Sequence, residues 1–112
     1  MSETKKLDKG STICAGKVYT ATVKLKVAAY YPGMPLSYNA TNREYEYQSN
    51  LSTATAFYYG SNRDGTETSI DHGQVIVGGE IYESGIVNNS NAAVTLTEQN
   101  RIHMRARGFY PL

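Results

Sequence analysis

The sequence contains no tryptophan, a single cysteine and only three prolines among its 112 residues. Because Cys14 stands alone, it cannot form an internal disulfide, and stability has to come from packing or from assembly. No apolar run approaches the ~20 residues that a membrane-spanning helix requires, so no membrane association is expected. Lys5 and Lys6 are not followed by an apolar segment of the signal-peptide kind, which predicts synthesis in the cytoplasm.

The chain also lacks a strong net charge and a recognisable set of catalytic or metal-binding residues. Its formal net charge of +1 supplies no broad attraction to phosphates, so direct nucleic-acid binding is not expected. The candidate metal ligands Cys14, His72 and His103 do not have the spacing of a zinc site. Neither a nucleophile–base pair nor a cofactor motif appears, and we therefore expect no cofactor and no enzyme activity.

Tyrosine is the residue that this sequence has in abundance. There are ten tyrosines, and 40% of all residues are hydrophobic, which is typical of one folded domain. The tyrosine ring suits half-buried strands, and its polar tip also suits protein interfaces. The composition therefore favours a β-rich protein and leaves open whether the tyrosines serve the sheet or a partner.

The chain divides into a short polar segment and a β-rich domain. Residues 1–16 are polar and small and are interpreted as a flexible N-terminal arm, and residues 17–112 form the domain. Residues 17–29 are the clearest strand because apolar and polar side chains alternate with a period of two. One predicted face carries Tyr19, Ala21, Val23, Leu25 and Val27, and the other carries Thr20, Thr22, Lys24 and Lys26.

Turn signals separate further strands. Pro32-Gly33 predicts a turn, and "REYEYQS" after residues 39–42 predicts a hairpin with an aromatic face and a charged face. Residues 53–60 predict another strand, and Asp64-Gly65 predicts the turn of the loop that follows.

The segment "QVIVGGEIYESGI" places two glycines, Gly78 and Gly79, inside a strand-like run. A phosphate-binding loop would need further glycines or a Lys-Ser/Thr pair before a helix, whereas here Glu80 and more strand residues follow. The glycines therefore predict a β-bulge or a close backbone contact.

One helix is predicted near the C-terminus, over residues 96–107. Thr95 and Glu98 have the spacing of a capping box, Gly108 is a natural stop, and Leu96, Ile102 and Ala106 could share a packing stripe. Arg101 and Arg105 lie on this helix. They could bind nucleic acid, complement the helix dipole or face an acidic protein partner, and the sequence does not separate these alternatives.

The order of these features resembles the head decoration, or capsid cement, proteins of tailed bacteriophages of the lambda type. The resemblance covers residues 22–112 and rests on the sequence of elements "YYPGMPLSY", "NREYEY", "STATAFYYG", "QVIVGGEIYESGI" and "RIHMRARGFYPL". The strand "TATAFYY" and the long segment before the Pro-Gly turn depart from the family pattern.

This resemblance implies a mostly β fold: a small single-domain β-sandwich or barrel-like structure of the β-tulip type, with one short C-terminal helix and an extended N-terminal arm. It implies a structural virion protein that binds the outer surface of a phage head as a homotrimer and stabilises the head against packaged-DNA pressure. Its partners would be the major capsid protein and itself. It would be located on the virion, after assembly in the host cytoplasm.

Candidate interaction residues follow from this hypothesis. The arm and an unpaired strand over residues 19–27 would bind the capsid by strand addition; the residues assigned to this role are Val18, Tyr19, Ala21, Val23 and Leu25. Trimer or close-approach contacts are assigned to Gly78, Gly79, Glu80 and Tyr82, and Arg101 and Arg105 could face a partner. The alternative function is a small β-sandwich module that binds carbohydrate through its tyrosine-rich faces.

Overall fold

Over residues 13–112 the protein is mostly β, with one α-helix, as the sequence predicted. The structure is a computed structural model that describes residues 13–112, and the first twelve residues of the predicted arm lie outside it. The strands are β1 (Cys14–Leu25), β2 (Ala29–Tyr30), β3 (Pro35–Asn39), β4 (Glu44–Tyr47), β5 (Ala56–Tyr58), β6 (Arg63–Asp64), β7 (Ile70–Ile81) and β8 (Phe109–Pro111). A 3-10 helix spans Glu83–Gly85, and α1 spans Glu98–Ala106.

The main sheet closes on itself. Its strand order is β1-β4-β3-β5-β7-β8, and an additional pairing of β1 with β7 completes a ring of five strands. β2 and β6 form a separate two-stranded sheet. The long strands β1 and β7 run antiparallel, with Thr22 opposite Gln74, and beyond the ring β7 pairs in parallel with β8. The architecture is therefore barrel-like.

Two hydrophobic cores lie on opposite sides of the wall formed by β5 and β7. Tyr58 and Val75 pack in the core inside the ring, with Leu25, Met34 and Leu36. Their neighbours Phe57 and Ile76 point the other way, into a second core. The second core includes Ile13, Ile81, Leu96, Met104 and Phe109. Because successive side chains of a strand point to opposite faces, these two strands are apolar on both sides.

The beginning of the chain corrects the predicted boundary between arm and domain. Ile13 is fully buried in the second core, and Cys14 begins β1, so residues 13–16 belong to the domain rather than to the arm. The strand predicted over residues 17–29 starts three residues earlier and ends at Leu25. Val27 follows the end of the strand and is exposed, whereas Ala21, Val23 and Leu25 share one face, as predicted, and that face packs on the core inside the ring.

The hairpin and the turn glycines agree with the sequence prediction. β3 and β4 pair antiparallel with Tyr38 opposite Tyr45, and the two rings are 5.3 Å apart. Gly33 and Gly65 have positive φ, which is the conformation that their turns require. The strand predicted over residues 53–60 is shorter, since only Ala56–Tyr58 form β5.

The helix begins later than predicted. Its N-cap is Thr97, whose hydroxyl accepts a hydrogen bond from the backbone N–H of Asn100, and the capping box is Thr97–Asn100 rather than Thr95–Glu98. Leu96 is buried before the helix starts, and the predicted packing stripe is wrong because Ile102 and Ala106 are exposed and only Met104 is buried. Gly108 ends the helix with a positive φ, as expected.

Candidate partner-binding surface

β1 is paired along one edge and open along the other. Its pairing with β7 runs from Cys14 to Leu25, so the sequence prediction of a wholly unpaired strand is wrong. On the opposite edge, Leu25 pairs with Tyr45 of β4, and no other ladder partner exists there among residues 13–112. Residues 14–24 therefore present a row of backbone groups that another strand could bind.

Most side chains assigned to capsid binding face the protein's own cores. Leu25 is buried, Ala21 and Val23 pack against the core inside the ring, and Val18 packs against the second core. Tyr19 differs, since it is 55% exposed. If β1 binds a partner, the contacts must come from its backbone edge and from exposed side chains such as Tyr19, and this role stays a prediction.

The paired glycines form a bulge and a close approach, as the sequence predicted. In the ladder, Tyr19 lies opposite Gly78 and Thr20 lies opposite Ile76, so Val77 is the extra residue of a β-bulge. Gly79 has a φ of 115°, and a β-carbon there would collide with the carbonyl oxygen of Lys17. β7 nevertheless continues through both glycines to Ile81. The approach occurs within one chain, between β7 and β1.

Beside the bulge, exposed tyrosines lie on the two strands that flank β7, namely β1 and β8. Tyr19 of β1 is opposite Gly78 of β7, and Tyr110 of β8 is opposite Glu80 of β7. Both tyrosines are at least half exposed, and Lys17 Nζ lies 5.3 Å from the centroid of the Tyr19 ring. Sequence reasoning missed Tyr110, although the alternation of Phe109, Tyr110 and Pro111 in a short strand could have identified it.

Tyr82, also assigned to close contacts, lies just past β7. Its backbone N–H donates to the carbonyl oxygen of Ile13, at 2.8 Å, and 43% of the residue is exposed. Its backbone therefore ties the start of β1 to the end of β7, and its side chain stays accessible.

Of the two helix arginines, Arg101 is held within the protein. Its guanidinium donates to both carboxylate oxygens of Glu83, at 2.6 and 2.9 Å, and this bond raises the pKa of Arg101 and lowers that of Glu83. Arg105 is more exposed, with its Nη1 3.8 Å from a carboxylate oxygen of Glu98. Arg101 thus links α1 to the 3-10 helix, and Arg105 is the more accessible of the two.

A group of titratable side chains joins the ring core to the loop after β5. Tyr58 donates to the carbonyl oxygen of Ser61 at 2.6 Å and accepts from Arg63 Nε at 2.9 Å, and Arg63 also pairs with Glu67 at 2.7 Å. Burial raises the pKa of Tyr58 and raises that of Tyr30 to about 12. Both hydroxyls are protonated at neutral pH. Tyr58 thereby fastens the loop after β5, and Tyr30 donates to the carbonyl oxygen of Lys26, just after β1.

Further features bear on ligands and membranes. Within residues 13–112, no three His, Cys, Asp or Glu side chains lie close enough to share a metal ion. In the same part of the chain, no helix has the length and apolarity needed to cross a bilayer.

The accessible chemistry of the β1 surface consists of backbone hydrogen-bond donors and acceptors, tyrosine rings and lysines. Such groups bind other molecules by hydrogen bonds, ring contacts and charge.

No protein-family model matches the chain, and a search of curated proteins found no match.

Proposed function

We propose that this protein is a structural virion protein, a capsid decoration protein that binds the outer surface of a tailed-phage head as a homotrimer and stabilises the head against the pressure of packaged DNA. The observation that carries the proposal is the open edge of β1 over residues 14–24. An extended segment of the major capsid protein would add to this edge as a further strand. The order of sequence elements described above supports the same function.

The dimensions of the edge suit strand addition. At ~3.3 Å per residue, the eleven residues from 14 to 24 extend over ~35 Å, enough for a full-length partner strand. Main-chain hydrogen bonds would supply affinity, and the exposed Tyr19 beside the edge would supply a side-chain anchor. Modest contacts of this kind add up as avidity when a trimer engages several capsid subunits together.

The first test is a binding experiment with empty phage heads of the lambda type that lack their own decoration protein. We expect the purified protein to sediment with these heads and to have the mass of a trimer in solution or on the shell. Tyr19→Ser should weaken attachment, whereas Tyr38→Ser is the matched control, since Tyr38 is similarly exposed but lies on the hairpin. A monomer that never sediments with heads would refute the proposal.

The hairpin supports carbohydrate binding as the second candidate function. Tyr38 is 51% exposed, and its ring meets that of Tyr45 at an interplanar angle of 59°. Because the rings are not coplanar, one sugar ring would stack on only one of them. Retention on an immobilised glycan that Tyr38→Ser abolishes and Tyr19→Ser preserves would favour this function over decoration.

A further inference from the structure

Positive charge is concentrated along the open edge of β1 and just beyond it, at Lys26, whose backbone N–H donates to the carbonyl oxygen of Tyr45 in β4. Residues 10–43 contain three lysines and one arginine but no aspartate or glutamate. Lys17 and Lys24 lie on β1 itself, and Lys26 follows its end; all three are exposed. The net charge of +1 for the whole chain conceals this local excess.

Among residues 13–112, these lysines form no ion pair with a carboxylate. The ion pairs found within residues 13–112 involve Arg63, Arg101 and Arg105, and none includes Lys17, Lys24 or Lys26. Lys17 instead lies near the face of Tyr19. The positive charges of the edge are thus available to a partner.

The positions of the lysines specify where a partner's charges would be. Because side chains alternate along a strand, Lys24 and Lys26 share one face with Thr22, and Lys17 shares the other face with Tyr19. The seven residue steps from Lys17 to Lys24 correspond to ~23 Å of strand. A complementary strand would carry acidic side chains near both ends and neutral, β-forming residues between them.

A second copy of β1 does not meet this requirement. The strand contains two lysines and no carboxylate, so no register of β1 against β1 can pair a lysine with an acidic residue. Lysines on an edge strand are a common means of preventing such self-pairing. The same charges that disfavour pairing with a second copy of β1 favour an acidic partner strand.

We propose that the open edge of β1 selects an extended, acidic strand, whose carboxylates pair with Lys24 and Lys26 on one face of the enlarged sheet and with Lys17 on the other. The inference rests on the proposed function in that it names the chemistry of the segment added to the same edge. In a decoration protein, that segment belongs to the major capsid protein.

The test uses the full chain and three synthetic peptides built on one Thr- and Val-rich strand. The first peptide carries Glu residues at the spacing of Lys17, Lys24 and Lys26, and its two sister peptides carry Gln or Lys at those positions. We expect the Glu peptide to bind about tenfold more tightly than the Gln peptide at low salt, because exposed ion pairs each add a modest increment. The Lys peptide should bind weakest, and 1 M salt should remove most of the differences.

Two variants and an NMR spectrum of the backbone amides show which residues produce the preference for the Glu peptide. Replacing Lys17, Lys24 and Lys26 together with Gln should abolish the preference for the Glu peptide, whereas Arg105→Gln, which removes a charge from the helix, should retain it. Amide chemical-shift changes should concentrate in residues 14–24. Equal affinity for the Glu and Gln peptides, no binding of the Glu peptide, or shift changes confined to the hairpin would overturn the inference.

The capsid experiment separates the two proposals. Binding of the acidic peptide without sedimentation on phage heads would reject the decoration function and retain the acidic-strand preference. If the variant with all three lysines replaced sediments with heads as the parent does, the decoration function is retained and the acidic-strand preference is rejected.

Discussion

A β-carbon at Gly79 of β7 would lie 2.6 Å from the Cα atom of Val18 in β1. No side chain fits in this gap, and the φ of 115° is also one that residues other than glycine rarely adopt. This contact joins the two longest strands beside the bulge at Val77. It explains why the strand-like sequence requires glycine at position 79.

Gly79→Ala should therefore destabilise the fold. We expect the free energy of unfolding to fall by at least about 2 kcal/mol, from backbone strain and displacement of β1. Gly78→Ala is the matched control, because its β-carbon would meet Gly108 and Tyr19 at 3.5 and 3.7 Å, which is ordinary contact. Urea denaturation of both variants measures the difference in the free energy of unfolding. Equal stability would mean that the close approach of β7 to β1 at Gly79 does not constrain the fold.

Truncation should distinguish the arm from the domain. Deleting residues 1–12 should leave the unfolding midpoint nearly unchanged, whereas deleting residues 1–16 should lower the free energy of unfolding by roughly 2–5 kcal/mol, because it removes the buried Ile13. Ile13→Ala in the full chain should reproduce most of that loss. Two truncated proteins of equal stability would contradict the placement of Ile13 in the second core.

The ion pair between Glu83 and Arg101 predicts a dependence of stability on acid. Because the hydrogen bond from Arg101 lowers the pKa of Glu83 below its ordinary 4.5, the pair stabilises the fold above that pH and is lost as the pH falls through the lowered pKa. Glu83→Gln should thus melt at a lower temperature than the parent at pH 7, and the gap should close on acidification. Glu98→Gln, which removes a longer and more exposed contact, should change the melting temperature less.

Tyr30 predicts a loss of stability in alkali. Burial raises its pKa to about 12 in the folded protein from an ordinary value of 10, so the stability it contributes is present below pH 10 and is lost as the pH rises toward 12. Tyr30→Phe, which also loses the hydrogen bond to the Lys26 carbonyl oxygen, should be less stable at pH 7 but less sensitive to alkali. Tyr38→Phe should keep the alkaline response of the parent in melting curves recorded across this range.

Local signals in the sequence predicted β1, the hairpin, the turns and the helix stop, but not the short strands β2, β6 and β8. Alternation identified β1, and the need for positive φ identified Gly33, Gly65 and Gly108. The helix start was misplaced because Thr95 and Thr97 each have a capping residue three positions later. Leu96 is buried in the second core, and the N-cap is the residue that follows it, Thr97. This burial is a tertiary effect, which local patterns do not contain.

Long-range pairing was outside the reach of local patterns. Thr22 and Gln74 are neighbours across the sheet although 52 residues separate them, and this pairing closes the ring. The same pairing leaves β1 with one open edge and turns the assigned residues Ala21, Val23 and Leu25 toward the interior. The candidate surface could thus be located on β1 from the sequence, but which of its groups face outward could not.

The shared wall of β5 and β7 has a mechanical consequence. A pull on β1 from anything attached to its open edge would pass through the ladder into β7, where Val75 and Ile76 anchor separate cores on the two sides. Neither core can then be loosened without disturbing the other. The domain should yield to force in a single step, and the amide protons of these two residues should be among the slowest to exchange with solvent.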